Sequence, residues 1–163
     1  MQAIVQWIYH SPLSLSLQGQ TWLVALGQTI HILAIAAVLS SVLMVNLRVL
    51  RFAGNAQTVG ETTGRYLPWI WWGLLVLALS GALLIIIEPE RPLTSPLFWI
   101  KMVLMLAGIA VTLAFRNHAS AHPELWERPE HRRSMVLGFA AVNVVIWCGI
   151  IFAGRWIAYA SAA

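Results

Sequence analysis

Charge is scarce in this sequence. Lys, Arg, Asp and Glu together make up 10% of its 163 residues, where a soluble domain carries about 25%. That shortage excludes an ordinary soluble surface. The 60% hydrophobic content, the mean hydropathy of +0.76 and the nine tryptophans point instead to a membrane protein. Cysteine is nearly missing too. Cys148, the single one, sits in an apolar run and can form no internal disulfide, and no CxxC, CxxCH or zinc-type spacing exists. The formal charge of +4 is small and spread over loops, which gives no basis for nucleic-acid binding. Also absent are a phosphate loop, a nucleophile–base arrangement and a carboxylate pair inside the apolar runs. Catalysis by this chain alone is therefore not expected. No internal repeat and no alternating apolar/polar pattern of membrane strands is found.

What is there is a set of four apolar runs, about 22–47, 69–87, 97–115 and 135–154. A hydrocarbon core of ~30 Å needs about 20 helical residues, and backbone amides in lipid must be satisfied internally, which leaves helices for runs of this length. The expected fold is an all-α integral membrane protein, an up-down four-helix transmembrane bundle forming one domain over residues 1–163. Residues 1–20 precede the first span. They carry no Lys or Arg and no clear cleavage site, so they do not look like a secretory signal. Trp7 and Tyr9 suit a short segment lying in the membrane interface. "RFAGNAQTVGETTGRYLP" reads as a loop, with Pro68 where the second helix opens. "EPERPLTSP", with three prolines, reads as a stiff hairpin. "RNHASAHPELWERPEHRR" reads as a polar loop ending in a short surface helix.

Orientation follows from the cations. The first and third loops hold Arg48, Arg51, Arg65, Arg116, Arg128, Arg132 and Arg133, and the opposite side only Arg91, Lys101 and Arg155. The positive-inside rule puts those loops in the cytoplasm and both termini on the outer, periplasmic face. Trp22, Trp99 and Trp156 then form an outer aromatic belt, and Trp69, Trp71 and Trp72 an inner one.

Polar groups inside the hydrocarbon cost energy and need a reason. His31 lies roughly 9 Å into the first span at 1.5 Å per residue. It shares a stripe with Gly27, Ala34, Ile35, Val38 and Val42, whose small members allow close helix approach. Lys101 opens a stripe on the third span that continues through Met105, Gly108 and Thr112. Glu88 closes the second span on the same side. An imidazole, an ammonium and a carboxylate near the outer surface suit a quinone headgroup, haem propionates or a metal. Equally, Lys101 can snorkel, Glu88 can be solvated and His31 can bond a neighbouring helix. An intramolecular bis-histidine haem site is not expected. His10, His118, His122 and His131 fall outside the spans. Met102 or Met105 remains as a second axial ligand for haem b, and His31 with Met102 and Met105 is the donor set copper would take. Nearer the inner face, Asn143 reads as an interhelical hydrogen bond, and Gly73, Ser80 and Ile87 as a packing seam.

"HILAIAAVLSSVLMVNLRVL", "LPWIWWGLLVLALSGALL" and "LFWIKMVLMLAG" together resemble small bacterial four-helix inner-membrane proteins of unknown function. The pattern is a histidine early in the first helix, "LRVL" at its end, "LPW" opening the second and "FWxKM" opening the third. The resemblance covers roughly residues 25–120 and implies a bacterial inner membrane. His31, Arg48 and Lys101 match its polar positions. A looser similarity extends to copper-resistance-type and cytochrome b-type membrane proteins. The leading expectation is a small subunit or anchor of a respiratory or redox assembly, with an outer-leaflet quinone or haem pocket at His31, Lys101, Met105 and Glu88. Its partners would be other membrane subunits or further copies of itself. The alternatives are a purely structural subunit without cofactor, and a copper-handling protein.

Overall fold

The computed structural model describes residues 2–127 and 133–160. His131, Arg128 and Arg132 lie outside the described residues. The described chain is helical, without strands. Its elements are α1 (Gln2–Tyr9), α2 (Pro12–Gln18), α3 (Thr21–Val49), α4 (Val59–Ile87), α5 (Glu90–Leu93), α6 (Pro96–Ala121), α7 (Pro123–Glu127) and α8 (Arg133–Ala160). Among them α3, α4, α6 and α8 are long and apolar enough to cross a membrane. Each reverses the direction of the one before. The start of α3, the end of α4, the start of α6 and the end of α8 therefore share one end of the bundle, here the terminal end. The other is the arginine end.

The helices associate as two close pairs, α3 with α4 and α6 with α8, and the pairs meet more sparingly through α3–α8 and α4–α6. Glycines set the close approaches. On the first pair, Gly27 faces Leu83 and Leu84, Gly81 faces His31, and Gly73 lies under Val38. On the second, Gly154 faces Lys101, Gly149 faces Leu104, and Gly108 faces Ile146 and Trp147. Without a hydrophobic driving force between helices in lipid, such backbone proximity supplies the dispersion contact that holds them. The expected seam of Gly73, Ser80 and Ile87 is buried, and Gly73 and Ser80 meet α3. Trp147 of α8 ties the pairs together. It is buried with Ala34, Val38 and Val42 of α3 and Leu67, Ile70 and Leu77 of α4. A second core closes the arginine end, where Phe115 stacks on Phe139 with ring centroids 4.4 Å apart and meets Trp126 edge-on.

Three boundaries differ from the sequence expectation. α4 begins at Val59, not after Pro68, because Thr58 and Glu61 form a capping box. The Glu61 N–H donates to Thr58 Oγ1 at 3.1 Å, and the Thr58 N–H donates to Glu61 Oε2 at 2.7 Å. Pro68 thus lies inside the helix. It brings no N–H to the Gly64 carbonyl. α6 runs on to Ala121, so His118 sits on a helix and not in a loop. There it accepts the Trp126 indole N–H at 3.0 Å, which folds α7 back against α6. The N-terminal segment is two short helices packed on the terminal end of α4. Ser11 caps α2, and the fully buried Ser14 hydroxyl donates to the Ile86 carbonyl at 2.7 Å. That carbonyl belongs to the last turn of α4, where no helical N–H reaches it.

Candidate functional site

His31 is held by α3 one helical turn from Gly27, and its ring lies against the backbone of α4. A Cβ at Gly81 would stand 3.5 Å from His31 Cε1. Nδ1 and Ser80 Oγ are 2.8 Å apart, and the Ser80 hydroxyl donates onward to the Val76 carbonyl at 2.6 Å. A hydroxyl has one proton to give. With that proton on Val76, the serine oxygen accepts from His31 Nδ1–H, and the lone pair is left on Nε2. No described residue hydrogen-bonds Nε2.

Lys101 is brought in by the other helix pair. Its side chain lies along α8 over Gly154, where a Cβ would stand 3.5 Å from Nζ. The ammonium is within electrostatic range of His31. The imidazole and the ammonium thus occupy the same end of the bundle on facing pairs, each accommodated by a glycine of its neighbour. Met102 and Met105 are both half-buried, and Met105 packs against the Trp147 core. Glu88 does not join this group. It is exposed at the end of α4, 3.8 Å from Arg91. The shared level in sequence does not bring it inward because the helix ends there and the chain turns out through Pro89. Among the described residues, no group of three His, Cys, Asp or Glu side chains is placed to hold a metal ion.

At the arginine end the polar residues are more deeply buried. Arg48 is 5% exposed and its Nε donates to the Gln57 carbonyl, which folds the α3–α4 loop over it. Asn46, 2% exposed, has no hydrogen-bond partner for either side-chain atom. The interhelical bond expected of Asn143 is not made through its carbonyl oxygen. Instead its Oδ1 is unpaired beside a void of about 10 Å³ that Thr63 and Thr112 also line, about the space of one water. Both threonine hydroxyls donate to their own helices, to Val59 and Gly108. The reading that His31 bonds a neighbouring helix is met by Ser80 of α4, a partner the sequence did not identify. The serine was visible only as part of a seam, 49 positions away.

Compared with known proteins, the chain matches over residues 7–160 a family of unknown function, DUF6644, and belongs to it. No curated protein and no solved structure matches it. The looser likeness to copper-resistance and cytochrome b membrane proteins therefore has no named relative behind it.

Proposed function

We propose that this family member is a small integral membrane subunit of a redox assembly in a bacterial inner membrane, with both termini on the periplasmic side. In this reading His31 and Lys101 receive a quinol headgroup or a haem at the terminal end. The observation that carries it is the His31–Ser80 bond. Residues that ligate or accept a proton through one ring nitrogen are commonly fixed by a hydrogen bond from the other. Ser80 does this for Nδ1 and leaves Nε2 as the basic atom. Nε2 can then take a proton from a quinol hydroxyl or bond haem iron, while the Lys101 ammonium balances negative charge on the bound group. Met105 is engaged in packing. Met102 is the other thioether of this end. Residues 1–20 lie in the interface and cover the end of α4.

The test is protein purified in mild detergent, examined by a reduced-minus-oxidised absorbance spectrum and by solvent extraction for quinone. A Soret band or stoichiometric quinone is expected. His31→Ala removes it, and Ser80→Ala weakens retention about tenfold or more. Neither haem nor quinone in the wild type, or full occupancy in His31→Ala, overturns the reading. The same bond also favours a second one. His31–Ser80 can serve as helix glue worth ~0.6–2 kcal/mol in a structural subunit without cofactor. Colourless, quinone-free protein whose stability falls by that amount in His31→Ala would establish it.

A further inference from the structure

We propose that the seam between α4 and α6 at the arginine end is a binding site for the headgroup of an anionic phospholipid. The two close helix pairs leave this seam open. It holds a cleft of about 360 Å³ lined on α4 by Gly60, Thr63, Gly64 and the apolar Leu67, Pro68 and Trp71, and on α6 by Arg116, Ala119 and Ser120. That size lies within the range of ligand-binding clefts.

Three properties of the lining select the occupant. Among the described residues its one charged side chain is the Arg116 guanidinium, and none of them lines the cleft with an acidic side chain. An anion is thus the complement, and a planar guanidinium suits the paired oxygens of a phosphodiester. The lining is also graded. Along α4 it passes from Gly60 and Gly64 to Leu67, Pro68 and Trp71 over ~16 Å at 1.5 Å per residue. A polar mouth above an apolar floor matches a molecule with a charged head and a hydrocarbon tail, not a free phosphate. Finally, Trp71 lies beside the exposed Trp69 and Trp72, and such a belt marks the membrane interface, so the apolar end of the lining reaches the edge of the hydrocarbon and the polar end lies on its headgroup side. Basic clefts between spanning helices at that depth take anionic lipid heads. Pro68 adds to the mouth by leaving the Gly64 carbonyl without its helical N–H donor, an acceptor for a hydroxyl of the headgroup. A Cβ at Gly64 would meet nothing within 4 Å, so a larger side chain at that position extends into open space.

Native mass spectrometry of the full chain, titrated separately with phosphatidylglycerol and phosphatidylcholine of identical acyl chains, tests this. One phosphatidylglycerol is expected to be retained at least tenfold better than phosphatidylcholine. Arg116→Gln abolishes the preference. Gly64→Leu, which fills the cleft, lowers retention of both lipids. Arg65→Gln, at the same end but outside the lining, leaves the preference in place. Arg116 is exposed, so its variant folds, as a monodisperse elution profile would verify. Equal retention of the two lipids overturns the proposal. So does an unchanged preference in Arg116→Gln, or an equal loss in Arg65→Gln, which marks diffuse surface charge. Displacement of the lipid by millimolar inorganic phosphate identifies a free-phosphate site and overturns it as well.

Discussion

Gly73→Ala should destabilise the bundle, although alanine is the better helix former. A Cβ at position 73 falls well inside contact distance of Val38 Cγ2. Val38 is fully buried, and a β-branched side chain in a helix has essentially one rotamer to use, so it cannot swing aside. Forcing one methyl into a packed interface costs ~1–3 kcal/mol. The gain in helix propensity offsets about 1 kcal/mol of that. The expected net loss is about 1 kcal/mol and at most ~2 kcal/mol by these two contributions. Val38→Ala alone removes the obstructing methyl, leaves a void and costs ~1–3 kcal/mol. In the double variant the new methyl enters the space the old one vacated. The two losses then fail to add, with a favourable coupling of about 1 kcal/mol or more. Unfolding in mixed micelles by SDS titration, followed by tryptophan fluorescence, measures all four corners of the cycle. Gly138→Ala is the control, because a Cβ there meets nothing within 4 Å. It should be neutral or stabilise by up to ~1 kcal/mol. A Gly73→Ala variant as stable as the wild type, or strictly additive losses, would show that the α3–α4 approach is looser than described.

Thr58→Ala removes the side-chain half of the α4 capping box and should cost ~1 kcal/mol. Hydrogen exchange should quicken over residues 59–63 and stay unchanged in α8. Ser14→Ala takes away the hydroxyl that satisfies the Ile86 carbonyl. Residues 2–18 should then become accessible to limited proteolysis while the four long helices remain protected, and cleavage no faster than in the wild type would refute that docking role. Arg51 holds a positive φ of 60° just past the end of α3, where the Phe52 N–H returns to the Leu47 carbonyl at 2.9 Å. Glycine is the natural occupant of that position. Arg51→Gly is therefore expected to raise stability by about 0.5–1 kcal/mol in the same SDS titration, and a loss would show that the arginine side chain contributes more than its backbone strain costs.

The long apolar runs were legible because a bilayer imposes a length and a composition that nothing else in a chain this size requires. The interior faces were legible as well. The stripe of Gly27, Ala34, Val38 and Val42 on α3 is buried, as are Gly108 and Thr112 on α6. Helix ends were harder. Pro68 drew the boundary toward itself, although the T-x-x-E signature at Thr58–Glu61 stood ten residues earlier. A proline costs a helix interior one backbone hydrogen bond, and here the capping box and the packing of α4 outweigh that cost, which a single-residue breaker signal does not register. His118 was obscured for a similar reason. Its partner, Trp126, lies beyond Pro123, and only the fold-back of α7 brings indole and imidazole together.

The polar residues of the spans show why the site was only half legible. His31 and Lys101 look alike in the sequence, each an isolated polar group in an apolar helix. What separates an interior role from a lipid-facing one is a residue on another helix. Gly81 lets the imidazole lie on the backbone of α4, and Gly154 lets the ammonium stem run along α8. Residues larger than alanine there would push both side chains outward, toward lipid or the headgroups. The informative unit is thus a polar residue and a glycine on antiparallel partners. Glu88 has no such glycine, and it is the member of the expected cluster that faces outward. A Cβ alone at Gly81 or Gly154 would stand in ordinary contact with its polar partner, 3.5 Å away in each case. A leucine at either position should instead displace that partner while leaving its identity untouched, which makes the two positions separate handles on position and chemistry at the terminal end.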